Sequence, residues 1–274
     1  MRRRAASSRL LPLFLVVSAL APFLPARARA ARPGRFLPRT VSFEGEARRF
    51  EVYVPPGWTP EKKWPVILFL NGTGERGSDG VAETTSGFGP ALKEHPGRFP
   101  AVVVFPQCPA GFWWTTPGMT GLAMDALKQE MGEFNGDPRR IYLTGISMGG
   151  YGVWRMAAEH PGVFAALTPI SGAIHSPASI PEIPPAIDLV PGEDPYAVLA
   201  DDIGNTPTWV FHDSDDPLVS VADDRRIAAA FKGRPSFHYT EMTGMGHLAW
   251  IKAYANSRWA RWLMAQKLPA PAAP

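Results

Sequence analysis

Several apolar runs are too short for helices and too continuous for half-buried strands. Residues 66–70, 102–105, 141–144 and 208–211 are rich in Val, Ile, Leu and Phe and show no polar alternation. That is the pattern of parallel strands covered on both faces. Shorter patches at 41–43 and 50–54, flanked by turn residues Gly45 and Pro55-Pro56-Gly57, read as two strands near the start. Residues 164–170 and 237–240 complete the strand set. Apolar positions at helical spacing predict helices over 122–134, 151–159, 221–231 and 250–266. Strands alternating with helices predict an α/β, mostly parallel doubly wound sheet with an antiparallel N-terminal edge. Ligands of such sheets gather at the carboxyl ends of the strands.

Residues 173–207 interrupt this rhythm. The stretch holds Pro177, Pro181, Pro184, Pro185, Pro191, Pro195 and Pro207, which exclude a long helix. It reads as a long loop, either a lid or substrate wall or a passive insert. Residues 269–274 alternate Pro and Ala and read as a disordered tail.

Composition changes the picture at the N-terminus. The 274 residues are 45% apolar and 19% charged, far too apolar for a disordered chain, and the formal charge is +3. Of the 28 Lys and Arg, six (Arg2, Arg3, Arg4, Arg9, Arg27 and Arg29) fall in the first thirty residues, which hold no acid. The rest therefore carries 22 basic against 25 acidic residues. The positive charge belongs to the leader, so no nucleic-acid partner is expected. A basic start, an apolar run from Leu10 to Leu24 and small-x-small sites at Ala26-Arg27-Ala28 and Ala28-Arg29-Ala30 form the pattern of a signal peptide over 1–30. The apolar run is short for a membrane span, so an uncleaved anchor is the lesser reading and no stable span is expected after cleavage. The expected location is secreted or periplasmic, and the paired arginines hint at twin-arginine export. Residues 31–268 are then expected to form a single domain. Cys108, the one cysteine, cannot form an internal disulfide and reads as a structural thiol.

The strongest chemical signal is Gly145-Ile-Ser147-Met-Gly149, set between a buried strand and a helix. The glycines permit a very sharp turn that lifts the Ser147 hydroxyl out at the sheet edge and points the Met148 amide at the reaction centre. A serine hydroxyl needs a base, and the base an orienting carboxylate; in the fold carrying this turn they follow in the order acid, then histidine. Downstream lie His160, His175, His212, His238 and His247. His160 reads as a helix C-terminal residue, His212 and His238 belong to strands, and His175 is an outside candidate. His247, in the glycine-rich loop Thr243-Gly-Met-Gly-His247, is the expected base. Asp213, Asp215 and Asp216 follow a strand end, and periodicity does not choose among them. As a metal site this acidic cluster lacks the glycine and spacing of a calcium loop. After the strand at 66–70 comes Asn71-Gly-Thr-Gly-Glu-Arg-Gly77, where the Thr73 amide, with Gly74 its neighbour, is the candidate second oxyanion donor. No Gly-Lys-Ser/Thr ending follows, so a phosphate loop is excluded. Phe112, Trp113, Trp114 and Trp250 are candidate substrate walls; the alternative is that the paired tryptophans pack the loop onto the body.

These segments resemble the α/β-hydrolase superfamily. More narrowly, they are similar to secreted esterases and "predicted peptidases" related to feruloyl esterases and polyhydroxyalkanoate depolymerases. The resemblance spans most of the mature chain. It rests on Pro65-Val-Ile-Leu-Phe-Leu-Asn-Gly-Thr-Gly-Glu-Arg-Gly77, Phe105-Pro-Gln-Cys-Pro109 with Trp113-Trp114, Asp137 through Trp154, Trp209 through Val219, and Gly246-His247-Leu-Ala-Trp250. It favours Asp216 as the acid, four residues after His212, with Asp215 second. The family's histidine before the oxyanion glycine is Asn71 here, and the glycine after the acid-loop histidine is Asp213. The resemblance implies hydrolysis of a small-molecule or polymer-linked ester by Ser147, His247 and Asp216, with Thr73 and Met148 as oxyanion donors and no metal or organic cofactor. A serine peptidase of the same fold and a non-catalytic carbohydrate-binding relative are the alternatives.

Overall fold

The computed structural model describes residues 33–177, 180–188 and 192–270. The expected leader over 1–30 and the last four residues of the expected tail lie outside them. Eight strands form one sheet: β1 (Arg35–Phe43), β2 (Glu46–Val54), β3 (Trp64–Leu70), β4 (Val102–Pro106), β5 (Gly136–Ile146), β6 (Ala166–Ile170), β7 (Thr208–Asp213) and β8 (Phe237–Met242). Their order across the sheet is β1-β2-β4-β3-β5-β6-β7-β8. The β1/β2 and β2/β4 pairings are antiparallel and every other one is parallel. This is the expected mostly parallel α/β sheet with its antiparallel N-terminal edge.

Residue alternation along the central strands divides the core into two layers. Val66, Leu68 and Leu70 of β3 point to one face and Ile67 and Phe69 to the other. The first face is covered by α2 (Met119–Glu133), α3 (Met148–Glu159), α4 (Pro195–Ile203) and α5 (Ala222–Ala230), through residues such as Leu122, Val153, Leu199 and Ile227. The second is covered by α1 (Phe88–Glu94), α6 (Ala249–Ala255) and α7 (Ser257–Ala265), through Phe88, Tyr254 and Trp259. Covering both faces is what permits the uninterrupted apolar strands. Among the described residues no helix is long and apolar enough to cross a membrane.

The helices depart from the sequence reading in three places. The helix expected over 250–266 is two helices, because Asn256 takes extended geometry (φ −74°, ψ 106°) and its side chain caps α7 by accepting from the Arg258 and Trp259 amides. The proline-rich stretch contains α4, which begins at Pro195 behind an Asp194 cap; proline is harmless at the first helical position, where its missing N–H has no helical partner. The third is α1, a short helix holding Gly89 and Pro90, which carries no helical signature in sequence. Among the described residues before α4, Ala173 and Ile183 pack with Tyr151 and Val219, and the segment is bonded to itself. Ile174 and Ile183 are buried, the Ala186 amide donates to the Ile174 carbonyl, and the Ser176 hydroxyl donates to the Ile183 carbonyl.

Candidate active site

The parallel register brings the carboxyl ends of the central strands side by side: Leu70 faces Gly145, Ile146 faces Ile170, and Ile170 faces Phe211. The turn between β5 and α3 opens onto this edge. Ser147 has φ 52° and ψ −119°, a conformation that costs an L-residue on the order of 1–3 kcal/mol. The surroundings enforce it. The Ser147 amide donates to the Ile170 carbonyl at 2.9 Å and its carbonyl accepts from the Gly150 amide at 2.7 Å. Only glycine fits at two neighbouring positions. A Cβ on Gly149 would lie 2.0 Å from the Leu70 carbonyl oxygen, and one on Gly145 would lie 2.5 Å from that of Gly149.

His247 Nε2 lies 2.8 Å from Ser147 Oγ, and its Nδ1 lies 2.7 Å from Asp216 Oδ2. The other carboxylate oxygen, Oδ1, accepts the Leu218 and Val219 amides, each at 2.9 Å. Burial alone would raise the Asp216 pKa. The hydrogen bonds from His212, His247 and these amides outweigh it and hold the carboxyl well below the usual range. Asp213 and Asp215 shape the loops instead. Asp213 accepts the Asp215 and Met245 amides, and Asp215 accepts the Gly244 amide, so both brace the histidine loop.

The remaining histidines lie away from Ser147 Oγ in the hydrogen-bond pattern. His160 ends α3, with its amide on the Met156 carbonyl. His175 pairs with Asp223 at 3.0 Å. His238 packs on the Trp209 and Trp262 rings. His212 is buried behind Asp216, with Nδ1 2.6 Å from Asp224 Oδ2. The Asp224 partnership was not visible in sequence.

Two backbone amides sit where helices begin. Met148 opens α3, and Thr73 opens a short 3-10 helix (Thr73–Glu75) after an extended Gly72. First-turn amides have no carbonyl partner within their helix and carry partial positive charge. The 71–77 loop is fixed from below. Asn71 is fully buried; its Oδ1 accepts the Cys108 amide at 3.1 Å, its Nδ2 donates to the Gly72 carbonyl at 2.8 Å, and its own carbonyl accepts Trp114 Nε1. Asparagine thus fills a bracing role in this loop. Arg76 donates to the carbonyls of Thr73 and Phe112 and lies 4.3 Å over the Trp113 ring, tying the loop to the 111–114 turn. Cys108 is buried and its thiol is pushed up to about 12 by desolvation, which makes it inert.

The proposed aromatic walls divide. Trp113 is half-buried beneath Arg76. Trp250 meets the His247 ring edge-on at 5.3 Å and helps line a cavity of about 370 Å³ with Ser86, Gly87, Leu248 and Ile251. Trp114 is corrected to core: it is fully buried, packs against Gly152 of α3 and spends its N–H on Asn71, so it presents no surface to a ligand.

Residues 42–214 match the model of the Esterase family, described as "Putative esterase". The chain is 29% identical over 167 residues to "Putative esterase NocK" of Nocardia uniformis subsp. tsuyamanensis, covering 57% of this chain and 46% of that protein. It is 30% identical over 145 residues to "Poly(3-hydroxyoctanoate) depolymerase" of Pseudomonas fluorescens, covering 46% and 51% respectively. The chain thus spans about half the length of the curated relatives it matches. Among solved structures, a thermostable esterase is similar with a TM-score of 0.70 and 28% identity, over 85% of this chain and 63% of that one. The feruloyl esterase module of Clostridium thermocellum shares the fold at a TM-score of 0.65 and 14% identity, over 88% and 92%. The chain belongs to the Esterase family of the α/β-hydrolase superfamily.

Proposed function

We propose that this protein is an exported serine hydrolase that cleaves carboxylic esters through an acyl-enzyme. The observation that carries the reading is the continuous hydrogen-bonded line from Asp216 through His247 to the hydroxyl of Ser147, at the tip of a strained strand–helix turn. Ser147 Oγ attacks the ester carbonyl as His247 Nε2 takes its proton. Asp216, held ionised, fixes the tautomer that leaves Nε2 free and stabilises the imidazolium. The amides of Met148 and Thr73 receive the oxyanion, and each such donor is worth about 3 kcal/mol of barrier. His247 then protonates the leaving alcohol and activates a water that hydrolyses the acyl-serine.

The name of the Pseudomonas relative supports an ester that is part of a polymer as one substrate class, and small-molecule esters are the other. Trp113 and Trp250 are the proposed walls of the substrate site. Export is supported by the basic, apolar and small-residue order of residues 1–30. The test is hydrolysis of short p-nitrophenyl esters beside matched anilides. Ester turnover is expected to fall by at least about a thousandfold in Ser147→Ala. Unchanged turnover in that variant defeats the reading, and equal anilide turnover in the wild type redirects it to a peptidase.

A further inference from the structure

Asp216 has a second imidazole behind it. His212, on β7, is fully buried; its Nε2 lies 3.0 Å from the Val219 carbonyl oxygen and 3.3 Å from Asp216 Oδ2. That oxygen is the one His247 Nδ1 meets at 2.7 Å. A carbonyl and an ionised carboxylate can only accept, so Nε2 of His212 carries a hydrogen. On the other side, Nδ1 and Asp224 Oδ2 hold one proton between them at 2.6 Å. Wherever that proton sits, the pair is neutral as a unit and Nε2 remains a donor. Burial opposes charge on the ring, but Asp216 and Asp224 overcome it and push His212 up to about 10. Desolvation raises wholly buried Asp224, against the pull of His212.

The other charged and titratable groups around the pair are Asp223 on α5, Tyr151 on α3, and Tyr239 and Glu241 on β8. Asp223 is taken by His175 and Tyr196, and Glu241 by Arg225 and Tyr239. None of these contacts occupies Nε2.

We propose that His212, oriented by Asp224, is a positioning residue for the acid of the catalytic line: it clamps Asp216 and the Val219 turn together and fixes where Oδ2 meets His247. The inference rests on the Ser147–His247–Asp216 reading above. His212 Nε2 bonds the Val219 carbonyl and stands 3.3 Å from Oδ2, so the positive end of its N–H also offsets part of the charge that would stabilise the imidazolium of His247. Loss of the pair therefore has two kinetic effects. The carboxylate loses its fixed placement, which lowers kcat. The charge facing His247 increases, which moves the acidic limb of the kcat/KM profile to higher pH. A pair that served only the stability of β7 and α5 would produce neither effect in a folded variant.

The experiment compares wild type, Asp224→Asn and the double variant His212→Leu/Asp224→Leu in pH profiles of p-nitrophenyl acetate hydrolysis, with folding checked by circular dichroism. In Asp224→Asn the amide donates to Nδ1 and Nε2 keeps its hydrogen, so kcat within about twofold of wild type is expected; the double variant removes the Nε2 donor and the carboxylate behind it together. Expected in the double variant are a fall in kcat of about tenfold with KM within about twofold, and an acidic limb displaced upward by about half a pH unit. Wild-type kcat and an unmoved limb in the folded double variant overturn the proposal. If the double variant does not fold, 15N NMR of the wild type decides: a protonated His212 Nε2 is expected, and a bare one overturns the proposal. Labelling of the wild type with a fluorophosphonate runs alongside. No labelling at Ser147 defeats the underlying triad reading, whereas labelling with a kinetically normal double variant defeats the positioning role alone.

Discussion

Replacing Asn71 by Ala removes both side-chain hydrogen bonds beneath the proposed oxyanion loop while leaving the backbone chemistry of the loop intact. The Cys108 amide loses its acceptor at 3.1 Å and the Gly72 carbonyl its donor at 2.8 Å. Asn71, Gly72 and Cys108 are all buried, so water does not readily replace the lost partners. The stranded Cys108 amide costs about 1–3 kcal/mol; the Gly72 carbonyl keeps the Glu75 amide at 3.3 Å, so its lost bond costs about 1 kcal/mol, a total of about 3 kcal/mol. For a domain of this size that is a melting temperature lower by about 6–12 °C. Gly72 immediately precedes Thr73, so a shift of the peptide that has lost its Asn71 bond also turns the Thr73 amide away from its aim. A displacement near 1 Å lowers kcat by about a hundredfold. Differential scanning fluorimetry and p-nitrophenyl butyrate kinetics on the same preparation read both numbers. An Asn71→Ala protein with wild-type melting temperature and wild-type kcat refutes the bracing role.

Two further outcomes follow from burial. Glu83 is fully buried, and desolvation, reinforced by Asp79 and Glu51, pushes its carboxyl up to about 8. The folded state then binds a proton that the unfolded state releases between about pH 4.5 and 8, so this group's contribution to stability declines as pH rises through that window. Glu83→Gln is expected to match the wild type near pH 5 and to exceed it on the order of a few kcal/mol at pH 9, in urea unfolding at the two pH values; a gap independent of pH contradicts this. The paired tryptophans are expected to separate: Trp114→Ala lowers stability by about 3–5 kcal/mol through a core cavity, while Trp113→Ala leaves the melting temperature nearly unchanged and raises KM for bulky aryl esters. Equal stability losses in the two variants contradict the division.

The central strands were legible because each is buried on both faces and so reads as an unbroken apolar run; β3, β4, β6 and β7 are buried at every position. The sequence underestimated β1, where exposed and half-buried residues dilute the pattern to the three residues at 41–43. The short α1 was illegible because Gly89 and Pro90 are poor helix formers held there by packing of Phe88 and Leu92. The break before α7 was written in the sequence as Asn256, a capping residue inside a continuous amphipathic run. At the site, the Gly-x-Ser-x-Gly turn was legible because sterics leave it almost no alternative residues. The choice of Asp216 over its neighbours required the resemblance. Periodicity cannot say which of three loop carboxylates faces an imidazole thirty residues away. The His212–Asp224 pair was invisible for the same reason: the two residues lie on β7 and α5, and their meeting depends on how that helix packs on the sheet.

The claim on which the account turns is that His247 and Asp216 make Ser147 Oγ a nucleophile. The most direct measurement is active-site labelling by a fluorophosphonate, with the labelled peptide and the labelling rate both read by mass spectrometry. The account predicts one adduct per chain, on Ser147, absent in Ser147→Ala and formed at least about a thousandfold more slowly in His247→Ala. An adduct that persists in Ser147→Ala, or a labelling rate indifferent to His247, contradicts it.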